Sequence, residues 1–113
     1  MDESQLLKGI LEGCVLSIIC REETYGYDII IKLEEYGFHN IIEGTLYPLL
    51  TRLEKKNLIK CRKAKSPLGP IRKYYSATPE GKEELEAFKV RYKEITKNVD
   101  NILFGGGKEC KEN

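Results

Sequence analysis

Apolar side chains recur in pairs every four residues over Leu6, Leu7, Ile10, Leu11, Cys14, Val15, Ile18 and Ile19. Pairs at that spacing fall on one broad stripe of an α-helix. The stripe is wider than one core contact needs, which predicts two buried faces, one inward and one against a partner chain. Asp2 or Ser4 is the expected cap, and Asp2 with Gln5 three residues on has capping-box spacing. A polar break at 21–24 follows, with Thr24 the expected N-cap of a second helix. That helix lines up Ile29, Ile30, Leu33 and Tyr36 and stops near Gly37. After a short connector, Leu46, Leu49, Leu50 and Leu53 stand at i, i+3, i+4 and i+7, the inner face of a third helix. Pro48 has no amide hydrogen and suits only a first turn, so Thr45 is the natural cap. An earlier start with a distorted bond is the alternative. Asn57 fits the C-terminal stop.

The period then changes. Ile59-Lys60-Cys61-Arg62-Lys63-Ala64 and Ile71-Arg72-Lys73-Tyr74-Tyr75-Ser76-Ala77 read as strands, joined by the turn Ser66-Pro67-Leu68-Gly69-Pro70. Tyr74 and Tyr75 must point to opposite faces, so one packs inward. Thr78-Pro79-Glu80 opens a last helix with a cap residue, a proline at the first helical position and an acid in the first turn. Its apolar residues Leu85, Phe88, Tyr92, Ile95, Val99 and Ile102 are spaced 3, 4, 3, 4, 3, a heptad seam that predicts a dimer interface. Three glycines at 105–107 end it. The expected fold class is mainly α with a small β-hairpin: a winged helix-turn-helix at 1–78, a long C-terminal dimerisation helix at 79–104 and a disordered tail at 105–113.

Composition sharpens this picture. A chain of 113 residues, 41% hydrophobic and 33% charged, holds one compact domain plus an extra element. Lys8, Glu12, Arg21, Glu22 and Glu23 interrupt the longest apolar region, and the opening Met-Asp-Glu-Ser lacks the pattern of a signal peptide. A cytoplasmic location without a membrane partner is expected. The four cysteines form no Cys-x-x-Cys pair and His39 is the only histidine, so neither a metal site nor a cofactor is expected. In a reducing cytosol Cys14 reads as a small core residue and Cys110 as a tail thiol.

Net charge is only +1, but its distribution is uneven. Residues 1–54 carry 4 basic and 10 acidic side chains, residues 55–79 carry 8 basic and none acidic, and residues 80–113 carry 7 and 8. The positive block coincides with the hairpin, where Lys60, Arg62, Lys63, Lys65, Arg72 and Lys73 sit. Short helices followed by a basic hairpin suit duplex DNA, because a helix fits the major groove and a two-stranded ribbon can lie beside it over the backbone. With its leucines inward, the third helix turns Thr45, Tyr47, Pro48, Thr51, Arg52 and Lys55 outward. Arg52 either reads guanine bidentately or bridges to Glu35 or another acid. Tyr25 and Tyr27 stand either at the DNA or in the core. An enzyme is disfavoured by the single histidine and by the lack of a nucleophile–base pair, a Gly-rich phosphate loop or a catalytic carboxylate cluster. A pure protein-interaction module would suit the heptad helix but leaves the basic hairpin without a role.

Three segments add a resemblance: Tyr25-Gly26-Tyr27-Asp28-Ile29, then Glu43-Gly44-Thr45-Leu46-Tyr47-Pro48-Leu49-Leu50-Thr51-Arg52-Leu53-Glu54, then Lys73-Tyr74-Tyr75-Ser76-Ala77-Thr78-Pro79-Glu80-Gly81. In order and spacing, over roughly residues 6–85, the chain resembles the PadR family of transcriptional regulators, in its compact form with a short C-terminal region. The resemblance implies a homodimer that represses an operator in double-stranded DNA, and a dimer with two recognition helices should prefer an inverted repeat. It implies DNA contact by Tyr25, by Thr45, Tyr47 and Pro48, and by the wing, where Lys63, Lys65, Arg72 and Lys73 are the candidates. Glu43 stands where many members have a small residue or proline, and Ala77 replaces a usual leucine. Such regulators often release DNA on binding a small, commonly aromatic molecule. Phe88 and Tyr92 beside Leu11, Cys14, Val15 and Ile18 are the candidate pocket for a hydrophobic effector, the alternative being a fully packed interface. The chain has no tryptophan, so stacking between indole rings is excluded.

Overall fold

The computed structural model describes residues 3–105, apart from the side chains of residues 3 and 4. The expected cap Asp2, and positions 106–113 with Cys110, therefore lie outside the described residues, while the backbone of the other expected cap, Ser4, lies inside the first helix rather than ahead of it. In chain order the elements are α1 (Glu3–Leu7), α2 (Ile10–Arg21), β1 (Thr24–Tyr25), α3 (Gly26–Glu35), α4 (Glu43–Lys55), β2 (Ile59–Lys65), β3 (Ile71–Ala77) and α5 (Pro79–Phe104). The three strands form one antiparallel sheet in the order β1-β3-β2.

The first stripe is not one helix. Gly9 adopts φ 89°, a left-handed conformation that glycine accepts without strain, and it separates α1 from α2. Thr24 is not the cap of α3 either. Its backbone pairs with Tyr75 in the sheet, and its hydroxyl donates to Asp28 Oδ2 at 2.8 Å. Tyr25 occupies the N-cap position instead, without a side-chain bond. In α4 the earlier start is the one found. The Thr45 and Leu46 amides both donate to the Ile42 carbonyl at 3.0 Å, so Thr45 lies inside the helix and Pro48 in its second turn. The carbonyl left without a helical partner belongs to Gly44, four residues back in an exposed stretch where water reaches it.

The other punctuation agrees with the residue pattern. Asn57 has φ 62°, and the Leu58 and Asn57 amides return to the Leu53 and Glu54 carbonyls at 3.0 and 2.9 Å, a Schellman stop. At the head of α5 the Gly81 amide donates to Thr78 Oγ1 at 2.9 Å, while that hydroxyl donates to the Asn57 carbonyl at 2.7 Å. One residue thus caps α5 and ties it to the end of α4.

The core joins Leu11, Val15, Leu16 and Ile19 of α2 to Ile29 and Leu33 of α3 and to the four leucines of α4. Tyr75 and Ile59 close it from the sheet, and Leu85 from α5. The remainder of α5 runs outward, giving overall extents of 64 × 29 × 20 Å.

Candidate nucleic-acid interface

With Leu46, Leu49, Leu50 and Leu53 buried, helix geometry turns Thr45, Tyr47, Pro48, Thr51, Arg52 and Lys55 outward, and all six are exposed. Tyr47 leans toward the start of α3, where any side chain at Gly26 would collide with its hydroxyl. Gly26 is therefore needed for this close approach. Partial burial and the neighbouring Glu43 raise the Tyr47 pKa, so the phenol stays neutral and can donate a hydrogen bond.

Tyr25 reaches the same place from β1. Its ring meets that of Tyr74 edge to face, with centroids 5.8 Å apart, and the Arg72 guanidinium lies 4.3 Å above it. Tyr25, Tyr27, Tyr47, Ile71, Arg72 and Lys73 line one cleft of about 360 Å³ between α3, α4 and the wing. Four residues singled out from sequence, Tyr25, Tyr47, Arg72 and Lys73, are brought together there.

Toward the tip of the wing, Lys63 pairs directly with Lys73, and Lys65 with Ile71. These positions share the sheet face that holds Cys61 and Tyr75 at the base. Like charges directly opposite one another across two strands destabilise a sheet. Such a pair is poorly placed for folding and well placed for a polyanion.

Arg52 stands elsewhere. Its Nε lies 3.6 Å from Glu12 Oε2, and Lys56 Nζ lies 3.7 Å from Glu12 Oε1. The acid is Glu12 of α2, not Glu35. Glu12 Oε2 is itself buried without a hydrogen-bond partner, so the contact is electrostatic. Arg52 and Thr45 share a separate cleft of about 530 Å³ with Lys8 and Asn40. Pro48 lies between the two groups around α4. No local signal announced the Arg52–Glu12 contact, which depends on how α2 packs against α4.

The seam of α5 divides. Leu85 is buried in its own chain, and Phe88 lies half-buried over Gly13 of α2, stacked on Tyr92 at 6.0 Å. Tyr92, Ile95, Val99 and Ile102 are exposed, as are Leu103 and Phe104, which the heptad pattern does not include. Among the described residues the candidate effector positions divide between the core and two separate clefts. Val15 is fully buried, and Leu11 and Ile18 belong to the core. Phe88 lines a cleft of about 340 Å³ with Gly13, Leu16 and Leu53. Cys14 and Ile18 line another of about 240 Å³ with Arg21 and Tyr36. Among the described residues no helix is long and apolar enough to cross a membrane.

Residues 15–87 match the family described as the transcriptional regulator PadR-like family. The chain is similar to a PadR-like transcriptional regulator of Bacillus cereus, with 48% identity, 88% of this chain and 97% of that one covered, and a TM-score of 0.78. It is similar to a Streptococcus transcriptional regulator at 46% identity, covering 88% and 98% with a TM-score of 0.77. At 26% identity and a TM-score of 0.66 it also resembles Bacillus subtilis PadR, solved in complex with operator DNA, over 73% of this chain and 48% of that one. The fold and the cleft beside its wing define a winged-helix transcription regulator. The chain belongs to the PadR-like family, whose members are DNA-binding regulators and not enzymes.

Proposed function

We propose that this chain is a cytoplasmic homodimeric repressor that binds an inverted-repeat operator in duplex DNA and leaves it when a small hydrophobic or aromatic effector binds. The observation that carries DNA binding is the cleft holding Tyr25, Tyr47, Arg72 and Lys73, continued by the like-charged Lys63–Lys73 pair. In this reading α4 enters the major groove, Tyr47 and Thr51 face base edges, Thr45 and Pro48 stand near the backbone, and the wing lysines neutralise phosphates. Arg52, held toward Glu12, anchors α4 more than it reads bases.

Residues 1–78 form the DNA-reading unit and 79–104 the dimerisation helix, whose exposed stretch from Tyr92 onward supports closure with a second copy. The Phe88–Tyr92 stack and the partly exposed Cys14 are the accessible parts of the candidate effector site, and an effector bound at the stack would favour one dimer spacing over another. Selection of bound sequences from random duplexes, followed by competition with aromatic compounds, tests this reading. An inverted repeat with half-sites about one helical turn apart is expected. Tyr47→Ala should damage operator preference more than non-specific binding, and Phe88→Ala should blunt release by any effector found. Binding to no duplex, or with equal affinity to all, would contradict it.

A further inference from the structure

The sheet face that looks away from the core carries a chemistry of its own. Register places Tyr25, Tyr74 and Arg62 side by side across β1, β3 and β2, with Arg72 on the same face two residues along β3 from Tyr74. Each arginine lies over a ring: Arg62 is 4.9 Å from the centroid of Tyr74, and Arg72 is 4.3 Å from that of Tyr25. Arg62 also grips Glu23 with both arms, Nε to Oε2 at 2.7 Å and Nη2 to Oε1 at 2.8 Å. That is the bidentate fork in which arginine surpasses lysine. The Arg62 hydrogen bond holds the Glu23 carboxyl below its usual range.

Glu23 immediately precedes β1, while Arg62 lies on β2, the far edge of the sheet. The pair therefore spans β3 and joins the two outer strands. It fixes Arg62 against Tyr74, and Tyr74 supports the edge of Tyr25, on which Arg72 rests. With one flat side covered, Arg72 presents its donors in a fixed plane toward the cleft. A planar fork in that state fits two acceptors at once, phosphate oxygens or the edge of a guanine.

We infer that Glu23 and Arg62 are positioning residues that brace the Tyr25–Arg72 stack for duplex DNA, so that Arg62 strengthens binding without touching phosphate. This deepens, and rests on, the DNA-binding reading of the same cleft. The cations of the wing then have separate roles. Lys63, Lys65 and Lys73 neutralise the backbone, Arg72 is the fixed fork, and Arg62 is already neutralised by Glu23.

The sign of one substitution tests the brace. Glu23→Ala removes a negative charge from the sheet beside the cleft that a polyanion is to occupy. If the pair were indifferent, binding would tighten, and the released Arg62 would steepen the salt dependence by about one unit of slope. The brace requires the opposite: operator binding weaker by about three- to fivefold, the scale of an exposed bidentate pair, with the slope unchanged. Arg62→Lys keeps the charge and loses the fork, so it should weaken binding to the same extent. In an Arg72→Ala background, adding Glu23→Ala should cost nothing further, since the braced group is gone.

Fluorescence anisotropy on a labelled duplex at several salt concentrations reads all of these, and melting curves establish that each variant is folded. Tighter binding or a steeper slope for Glu23→Ala, wild-type affinity for Arg62→Lys, or full additivity with Arg72→Ala would overturn the brace while leaving wild-type DNA binding intact. If the wild-type chain bound no duplex at all, both readings would fall.

Discussion

The winged-helix body and the outer half of α5 treat water in opposite ways. In the body most large apolar side chains turn inward, with single exceptions such as Ile42, Leu68 and Ile71, and the surface beside the wing offers phenol edges, guanidinium groups and lysines. In the outer half of α5 the apolar seam faces outward, with Ile95 59% and Ile102 82% exposed. Water tolerates the first surface well, and a polyanion improves it. It opposes the second by about 25 cal/mol for each Å² of apolar area, which a second apolar face would relieve. A single helix links the two: Leu85 completes the body's core, and the same seam a few turns on is left uncovered. The first surface is mixed in character and suits a charged partner, whereas the second is a continuous apolar stripe, the feature on which the proposed pairing with a second copy rests.

The largest effect is expected on that stripe. Ile95→Asp places a charge in the middle of the seam, and an unpaired buried charge costs about 3–5 kcal/mol. Light scattering should show a dimer for the wild type at micromolar concentration and a monomer for the variant, with the melting of the body little changed. A wild-type monomer, or an undiminished dimer in the variant, would remove the contrast between the two regions.

A smaller effect probes how complete the body is. Burial pushes the Tyr75 phenol up to about 12. A raised pKa means that the fold favours the neutral phenol. That stability is fully present below the unfolded value of about 10 and is lost as pH rises through about 12, an amount on the order of 3 kcal/mol. Tyr75→Phe should remove one high-pH step from the tyrosinate absorbance titration and flatten the alkaline loss of stability. A titration whose last step is unchanged by Tyr75→Phe would show that the sheet does not seal the core.

The two regions were also unequally legible from sequence. The hairpin limits, the Thr78-Pro79 start of α5, the stop at Asn57 and the inward turn of one member of the Tyr74–Tyr75 pair follow from local rules of turn chemistry, capping and alternation. The end of α5 is equally local, since Gly105 sits at φ 64°. Local rules did not reveal β1, which has two residues and exists only because Thr24 and Tyr25 pair with Tyr75 and Tyr74. Nor did they place Pro48, whose second-turn position is tolerable because Gly44, which loses its helical partner, is exposed. A heptad pattern also says nothing about which chain covers it, so Leu85 looked like the rest of the seam although its own core takes it up. At the candidate site, residue types pointed to the wing and to Tyr47. The Glu12 and Glu23 partners were out of reach, because each lies about 40 positions from its arginine and only the folded chain brings them together.

The most direct test of the DNA-binding reading is the salt dependence of duplex binding, measured for the wild-type chain and for the triple variant Lys63→Ala, Lys65→Ala, Lys73→Ala. A wing that neutralises phosphates predicts that log affinity falls linearly with log salt. In the variant the slope should be shallower by about three units, and affinity should fall to a similar degree on operator and random duplexes. Wild-type binding indifferent to salt, or a variant that keeps the wild-type slope, would contradict it.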